Sequence, residues 1–112
     1  MTIWNEGIVV ATEAYKATKL LPREEEYGLK SQIRRAAVSI PSNIAEGCSR
    51  SSQKEFKHYL EISLGSAFEV ETDLILAQRL SMISEKDISP LMEAIQILQR
   101  RINSLLIKVK QF

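Results

Sequence analysis

The last part of the chain carries the pattern that most restricts its fold, an apolar residue at every third or fourth position. The side chains that follow this pattern are Leu91, Ile95, Leu98, Ile102, Leu105 and Val109. Residues three and four apart lie on one face of an α-helix, so the pattern predicts a long helix with one continuous apolar stripe. Such a regular stripe is typical of helix-on-helix packing.

Three earlier segments show the same period, and the third runs from about residue 53 to 80. The residues on these stripes are Trp4, Ile8, Ala11, Tyr15 and Thr18; then Leu29, Ile33, Ala36, Ala37, Ile40 and Ile44; then Phe56, Leu60, Leu64, Ala67, Leu74 and Gln78. Four amphipathic helices with short connections predict an all-α, up-down-up-down four-helix bundle. At 112 residues the chain is expected to form a single domain over residues 1–112.

The second helix is unusual because Pro41 lies inside it and its polar side is small. The apolar stripe stays in phase across the proline, which favours one helix kinked at Pro41 over two helices. Its small polar residues are Ser31, Ser39, Ser42 and Asn43. A solvated helix face usually carries longer, better helix formers. We therefore expect a second packing surface here, within the bundle or between subunits of a homo-oligomer.

Local signals predict where the helices begin and end. Pro22 suits the first turn of a helix, and Gly47 is a plausible cap for the end of the second helix. Ser52 and Glu55 match a capping box that starts the third helix. Either Ser84 or Ser89 is expected to start the fourth.

The charge is near zero in total but uneven along the chain. The formal net charge is +1, whereas residues 30–58 hold six basic and two acidic side chains, and residues 100–112 hold four basic and none acidic. The candidate nucleic-acid-binding residues are Arg34, Arg35, Arg50, Lys54 and Lys57. Such side chains contact phosphate and position a nucleic acid without reading its sequence. The competing interpretation is that they form salt bridges to acidic helix faces or to a neighbouring subunit.

Glu71 and Asn43 are candidates for a structural polar core. Glu71 falls near the centre of the third helix's apolar stripe, where a buried carboxylate needs a partner. Tyr15, Tyr27, Asn43 or an arginine could supply it.

On the opposite side of the same helix, Ile62, Leu76 and Leu80 form a second apolar face. That face leaves a protein-interaction scaffold as an alternative function.

No combination of residues points to an enzyme. Glu55 and His58 have the spacing of half a di-iron motif, but the chain has one histidine and such sites need two. Cys48 is the single cysteine, so no intrachain disulfide forms, and no phosphate-binding glycine loop is present. We expect no metal or cofactor. The N-terminus lacks a basic signal region and the apolar runs are too short to cross a bilayer, so a cytoplasmic location without membrane contact is expected.

Several short stretches resemble the four-helix-bundle proteins encoded within intervening sequences of bacterial 23S ribosomal RNA genes. They are Tyr27–Leu29, Gln32–Ala36, Ser39–Ile40, Asn43–Gly47 and Gly65–Ser66 followed by Glu69 and Glu71. The resemblance implies a ring-like homo-oligomer, a pentamer, without enzymatic activity. That family is in turn similar to the accessory proteins of diversity-generating retroelements, which implies that RNA or DNA is a partner.

Overall fold

The computed structural model describes residues 2–110 and contains four α-helices. They are α1 (Thr2–Thr18), α2 (Leu29–Cys48), α3 (Gln53–Arg79) and α4 (Glu85–Lys110), with one 3₁₀ turn at Arg23–Glu25 between α1 and α2. No strand occurs between residues 2 and 110. The prediction of an all-α chain is confirmed, and the bundle measures 46 × 23 × 19 Å.

Contacts between neighbouring helices show that consecutive helices run antiparallel. From α2 to α3, Gln32 contacts Asp73 and Ser39 contacts Ser66, so residue numbers rise on α2 as they fall on α3. From α1 to α2 the order is the same, because Thr18 meets Arg34 while Gly7 meets Pro41. The fourth helix packs against both α3 and α1. This is the predicted up-down-up-down order.

The apolar stripes of α2 and α4 form the centre of the core. All six predicted α2 positions are buried, including Ile33, Ile40 and Ile44, which are fully buried. On α4 the stripe is also buried except for Leu105, which is half-buried beside the buried Leu106. Each fully buried aliphatic side chain stabilises the fold by about 1.5–3 kcal/mol.

The stripe predicted for α1 is not the one that enters the core. Trp4 and Ile8 keep 39% and 41% of their surface exposed. The buried residues of α1 are Ile3, Gly7, Val10, Ala14, Ala17 and Thr18. A Cβ atom built on Gly7 would lie 3.4 Å from Ile40 and from Pro41. Small side chains allow this close approach, and the larger apolar residues remain beside it on the outer edge.

The second helix continues through its proline, as the phase of the stripe predicted. Pro41 is buried inside a single helix that spans Leu29–Cys48. Proline lacks an N–H, so one carbonyl of the preceding turn loses its helical partner. Next to this point, the Ser63 hydroxyl donates a hydrogen bond to the Ile40 carbonyl at 2.9 Å. The small polar residue on α3 therefore ties the two helices together at the proline.

Two of the predicted helix starts are confirmed and two other signals were misread. The Ser52 hydroxyl accepts from the Glu55 N–H at 3.1 Å, and the Ser84 hydroxyl accepts from the Asp87 N–H at 3.1 Å. Gly47 does not cap α2. It lies buried within the last turn, where a Cβ would come within 3.1 Å of Tyr59. Pro22 precedes a 3₁₀ turn rather than a helix.

Candidate nucleic-acid interface

The five predicted cations fall into two groups at different levels of the bundle. Arg50, Lys54 and Lys57 lie where α2 ends and α3 begins, whereas Arg34 and Arg35 lie in the first half of α2. At a rise of about 1.5 Å per residue the two groups are separated by roughly 20 Å along α2. A single compact site containing all five is therefore not formed within one subunit.

The antiparallel order adds basic residues from α4 to the first group. The C-terminal half of α4 lies beside the start of α1, as shown by the Arg101–Glu6 ion pair at 3.1 Å. That end of the bundle also holds the α2–α3 connection. We call it the basic end and define it by Arg50, Lys54, Lys57, Arg100, Arg101 and Lys108.

The residues of the basic end differ in how far their charge is already neutralised. Arg50 pairs with Glu46, lies 4.0 Å from Glu55 and sits over the Tyr59 ring at 5.0 Å. Arg101 is paired with Glu6. The remaining four, Lys54, Lys57, Arg100 and Lys108, form no ion pair with a carboxylate of residues 2–110.

The second group lies in a cleft between α1, the turn before α2, and α2. The Arg34 Nε donates to the Thr18 hydroxyl at 2.9 Å, and its guanidinium carbon lies 4.7 Å from the centre of the Tyr15 ring. Arg35 is exposed beside it. The cleft has a volume of about 480 Å³, and Tyr27 and Lys30 also line it.

Glu71 and Asn43, predicted together as a structural polar core, take part in two separate contacts, and the partners of Glu71 differ from those expected. Glu71 is half-buried and accepts hydrogen bonds from the side-chain amides of Gln96 and Gln99, each at 3.0 Å. Both partners come from α4, so the tyrosines, Asn43 and arginines proposed for Glu71 were wrong. The error has a geometric cause, because the face of α3 that carries Glu71 turns toward α4 rather than α1.

Asn43 belongs to a separate polar contact between α2 and α3. Its amide donates to the Ser39 carbonyl and hydroxyl, both at 2.8 Å, and the Ser39 hydroxyl lies 2.7 Å from that of Ser66. Part of the small polar side of α2 is thus a packing surface within the bundle. The exposed Ser42 does not take part in this contact.

Asp73 on α3 is a buried carboxylate that the sequence analysis missed. It keeps 5% of its surface exposed, and its Oδ1 accepts from the Gln32 amide at 3.2 Å. Its Oδ2 is buried with no hydrogen-bond partner among residues 2–110. Burial and the nearby Glu69 raise the pKa of Asp73, while the hydrogen bond from Gln32 opposes that rise.

The raised pKa gives Asp73→Asn a predictable effect on stability. The folded state binds the proton more tightly than the unfolded state, so stability falls as pH rises from the unfolded pKa of about 4 to the raised folded value. At pH 7 the variant is expected to gain about 1 kcal/mol in the free energy of unfolding. Urea unfolding at pH 7 and at pH 3.5 measures this, and the gain should shrink at the lower pH. A loss of stability at pH 7 would contradict it.

Several large apolar side chains remain exposed on the surface of the bundle. On α3, the predicted second face of Ile62, Leu76 and Leu80 is exposed, and so are Phe68 and Ile75. On α1 and α2, Trp4, Ile8 and Val38 are exposed in the same way. Large exposed apolar patches mark protein contact sites.

Within residues 2–110, no three side chains among His, Cys, Asp and Glu are placed to hold a metal ion together. None of the helices in that range is both long and apolar enough to cross a membrane.

Fold and surface define a class, namely a small antiparallel four-helix bundle with a basic end and exposed apolar faces. Residues 1–104 match the family model of the 23S rRNA-intervening sequence proteins, and the chain belongs to that family.

A solved structure supports the fold independently. It is the crystal structure of a protein with unknown function from the S23 ribosomal protein family of Bacteroides thetaiotaomicron. The TM-score is 0.86 at 24% identity, over 93% of this chain and 97% of that chain. At this identity the likeness concerns the fold. No curated protein matches the chain.

Proposed function

We propose that this chain is a non-enzymatic, cytoplasmic homo-oligomer that binds RNA through the phosphate backbone. The observation that carries the proposal is the basic end, where four cations have no carboxylate partner among the described residues. Lysine and arginine side chains that neutralise phosphates release counterions, which supplies most of the affinity of sequence-independent binding. Lys54 and Lys57 are the central contacts, and Arg50 contributes while remaining tied to Glu46.

The exposed apolar faces support assembly. Neighbouring copies would cover the exposed Trp4 and Ile8 on α1 and the exposed Ile62, Leu76 and Leu80 on α3. Two different faces can join head to tail, and such an interface closes into a ring when the rotation allows it. A ring of five copies, as the family resemblance implies, would repeat the four unpaired cations in each subunit. Weak sites on one particle act together and bind more tightly than each alone.

Size-exclusion chromatography with light scattering tests assembly and RNA binding in one experiment. We expect a mass that is a multiple of the 12.7 kDa monomer, and a labelled RNA of about 30 nucleotides that co-elutes with it at ~50 mM salt. A 12.7 kDa peak that elutes apart from the RNA would contradict the proposal.

A second candidate function is a protein-interaction scaffold, favoured by the apolar second face of α3. In the same experiment, an oligomer that leaves the RNA unbound at low salt would favour this alternative.

A further inference from the structure

The cleft between α1 and α2 combines an almost fully exposed aromatic ring with two arginines that form no ion pair within residues 2–110. Tyr27 lies in the turn before α2 and is 96% exposed, so its aromatic ring is almost free of contacts within the bundle. It lines the cleft of about 480 Å³ together with Tyr15, Arg34 and Arg35. A second cleft of about 440 Å³ near the basic end is lined by Arg100, Arg101 and Lys108 and has no aromatic residue.

Arg34 is held in place rather than left mobile. Its Nε is bound to the Thr18 hydroxyl, which is fully buried, and its guanidinium rests on the Tyr15 ring. The terminal nitrogens of Arg34 donate no hydrogen bond within residues 2–110. A planar cation fixed in this way is suited both to a phosphate and to stacking on a base.

The charge of the cleft favours an anion. Three cations line it, and its one carboxylate, Glu26, is bound to Lys30 at 2.9 Å. Glu26 also attracts Arg34 electrostatically, but three cations against one carboxylate leave the cleft with a net positive charge beside an exposed aromatic ring. Sites for single-stranded nucleic acid combine positive charge along the backbone with aromatic rings on which bases stack.

We propose that this cleft binds an unpaired nucleotide of single-stranded RNA, with a base stacked on Tyr27 and the phosphate held by Arg34 and Arg35. The inference rests on the proposed RNA binding and adds a preference for unpaired segments. Bases inside a duplex are already stacked on their neighbours and are not free to stack on Tyr27. The basic end would bind either form, whereas the cleft would bind single strands only.

The test compares two labelled RNAs of equal length, a single-stranded oligouridine and a blunt-ended duplex, by fluorescence anisotropy. Tyr27→Ala should lower the affinity for the single strand by about 5- to 150-fold, which corresponds to the loss of one stacked base. The affinity for the duplex should not change. Tyr27→Phe keeps the ring and should bind both RNAs like the wild type.

Phe68→Ala serves as the matched control, because Phe68 is an exposed aromatic residue on α3, outside the cleft. It should leave both affinities unchanged. A phosphoserine peptide of similar charge should not displace the single strand at equal concentration. Light scattering of Tyr27→Ala should give the wild-type mass, because the ring is proposed to contact RNA and not a neighbouring subunit.

The inference is overturned if Tyr27→Ala binds the single strand as the wild type does, weakens both RNAs equally, or changes the oligomeric mass. Displacement of the RNA by the phosphopeptide would also overturn it, since the cleft would then recognise phosphate alone. If the wild type binds neither RNA, the proposed function itself fails. The two failures are therefore distinguishable.

Discussion

Gly7→Leu is expected to lower the free energy of unfolding by about 3 kcal/mol, near the upper end for an overpacked core position. A Cβ at this position already reaches 3.4 Å from Ile40 and from the backbone of Pro41. The rest of a leucine side chain would have to push α1 away from α2. The melting temperature should fall by roughly 10–15 °C.

Gly7→Ala is the matched control for this prediction. Its single methyl group fits at ordinary contact distance, and alanine forms helix more readily than glycine by about 1 kcal/mol. The variant should be as stable as the wild type or slightly more stable. Thermal unfolding followed by circular dichroism at a fixed protein concentration measures both variants. If Gly7→Leu and Gly7→Ala have the same melting temperature, α1 does not pack closely against Pro41 of α2.

The variant K54E/K57E is expected to lose about 100-fold in RNA affinity at ~50 mM salt, because two charge-assisted phosphate contacts per subunit become repulsive. Both residues lie in the first two turns of α3. A negative charge near a helix N-terminus is favourable, so the variant should fold at least as well as the wild type. Loss of affinity would then report on RNA contact rather than on unfolding.

The control for this variant is R23E/K86E. It makes the same change in charge on exposed residues at the opposite end of the bundle. For an RNA duplex, which the cleft does not bind, its affinity should stay within about threefold of the wild type, because the change is farther from the basic end than the screening length of about 10 Å. An equal loss in both variants would show that only the total charge matters and that no basic end exists.

The sequence predicted those helices whose apolar stripe is unambiguous. On α2 and α4 one set of positions is clearly the most apolar, and that set is buried. On α1 two stripes lie side by side, and the periodicity favours the stripe with the larger side chains. The core instead takes Gly7, Ala14 and Ala17, because small residues allow α1 to approach α2 closely. Hydrophobic periodicity detects apolar side chains, but it does not show where small side chains let two helices pack closely.

The candidate site was predictable in its residue types but not in its arrangement. Arg50 and Lys54 look alike in sequence, yet Arg50 is paired with Glu46 and Lys54 has no carboxylate partner among the described residues. Which cations are paired depends on side-chain packing around the α2–α3 connection. The contribution of Arg100 and Lys108 follows from topology, because the predicted antiparallel order already places the end of α4 beside the start of α3.

Tyr27 and Asp73 are two residues whose surroundings could not be predicted from the sequence. The sequence offers Tyr27 as a possible partner for Glu71, whereas the turn before α2 leaves it exposed in the cleft that Arg34 also lines. Asp73 lies outside the apolar stripe of α3, yet it is buried and accepts a hydrogen bond from Gln32 of α2. Both outcomes depend on how neighbouring helices are placed, which the period of one helix does not report.

The salt dependence of RNA affinity tests the central claim most directly. Fluorescence anisotropy with the wild-type protein and a single-stranded RNA gives the affinity between ~50 and ~300 mM salt. Each phosphate contact contributes about −0.7 to the slope of log affinity against log salt. With four unpaired cations at the basic end, we expect a slope of about −3 or steeper. A slope near zero, or no binding at the lowest salt, would contradict the proposal that this bundle is an RNA-binding protein.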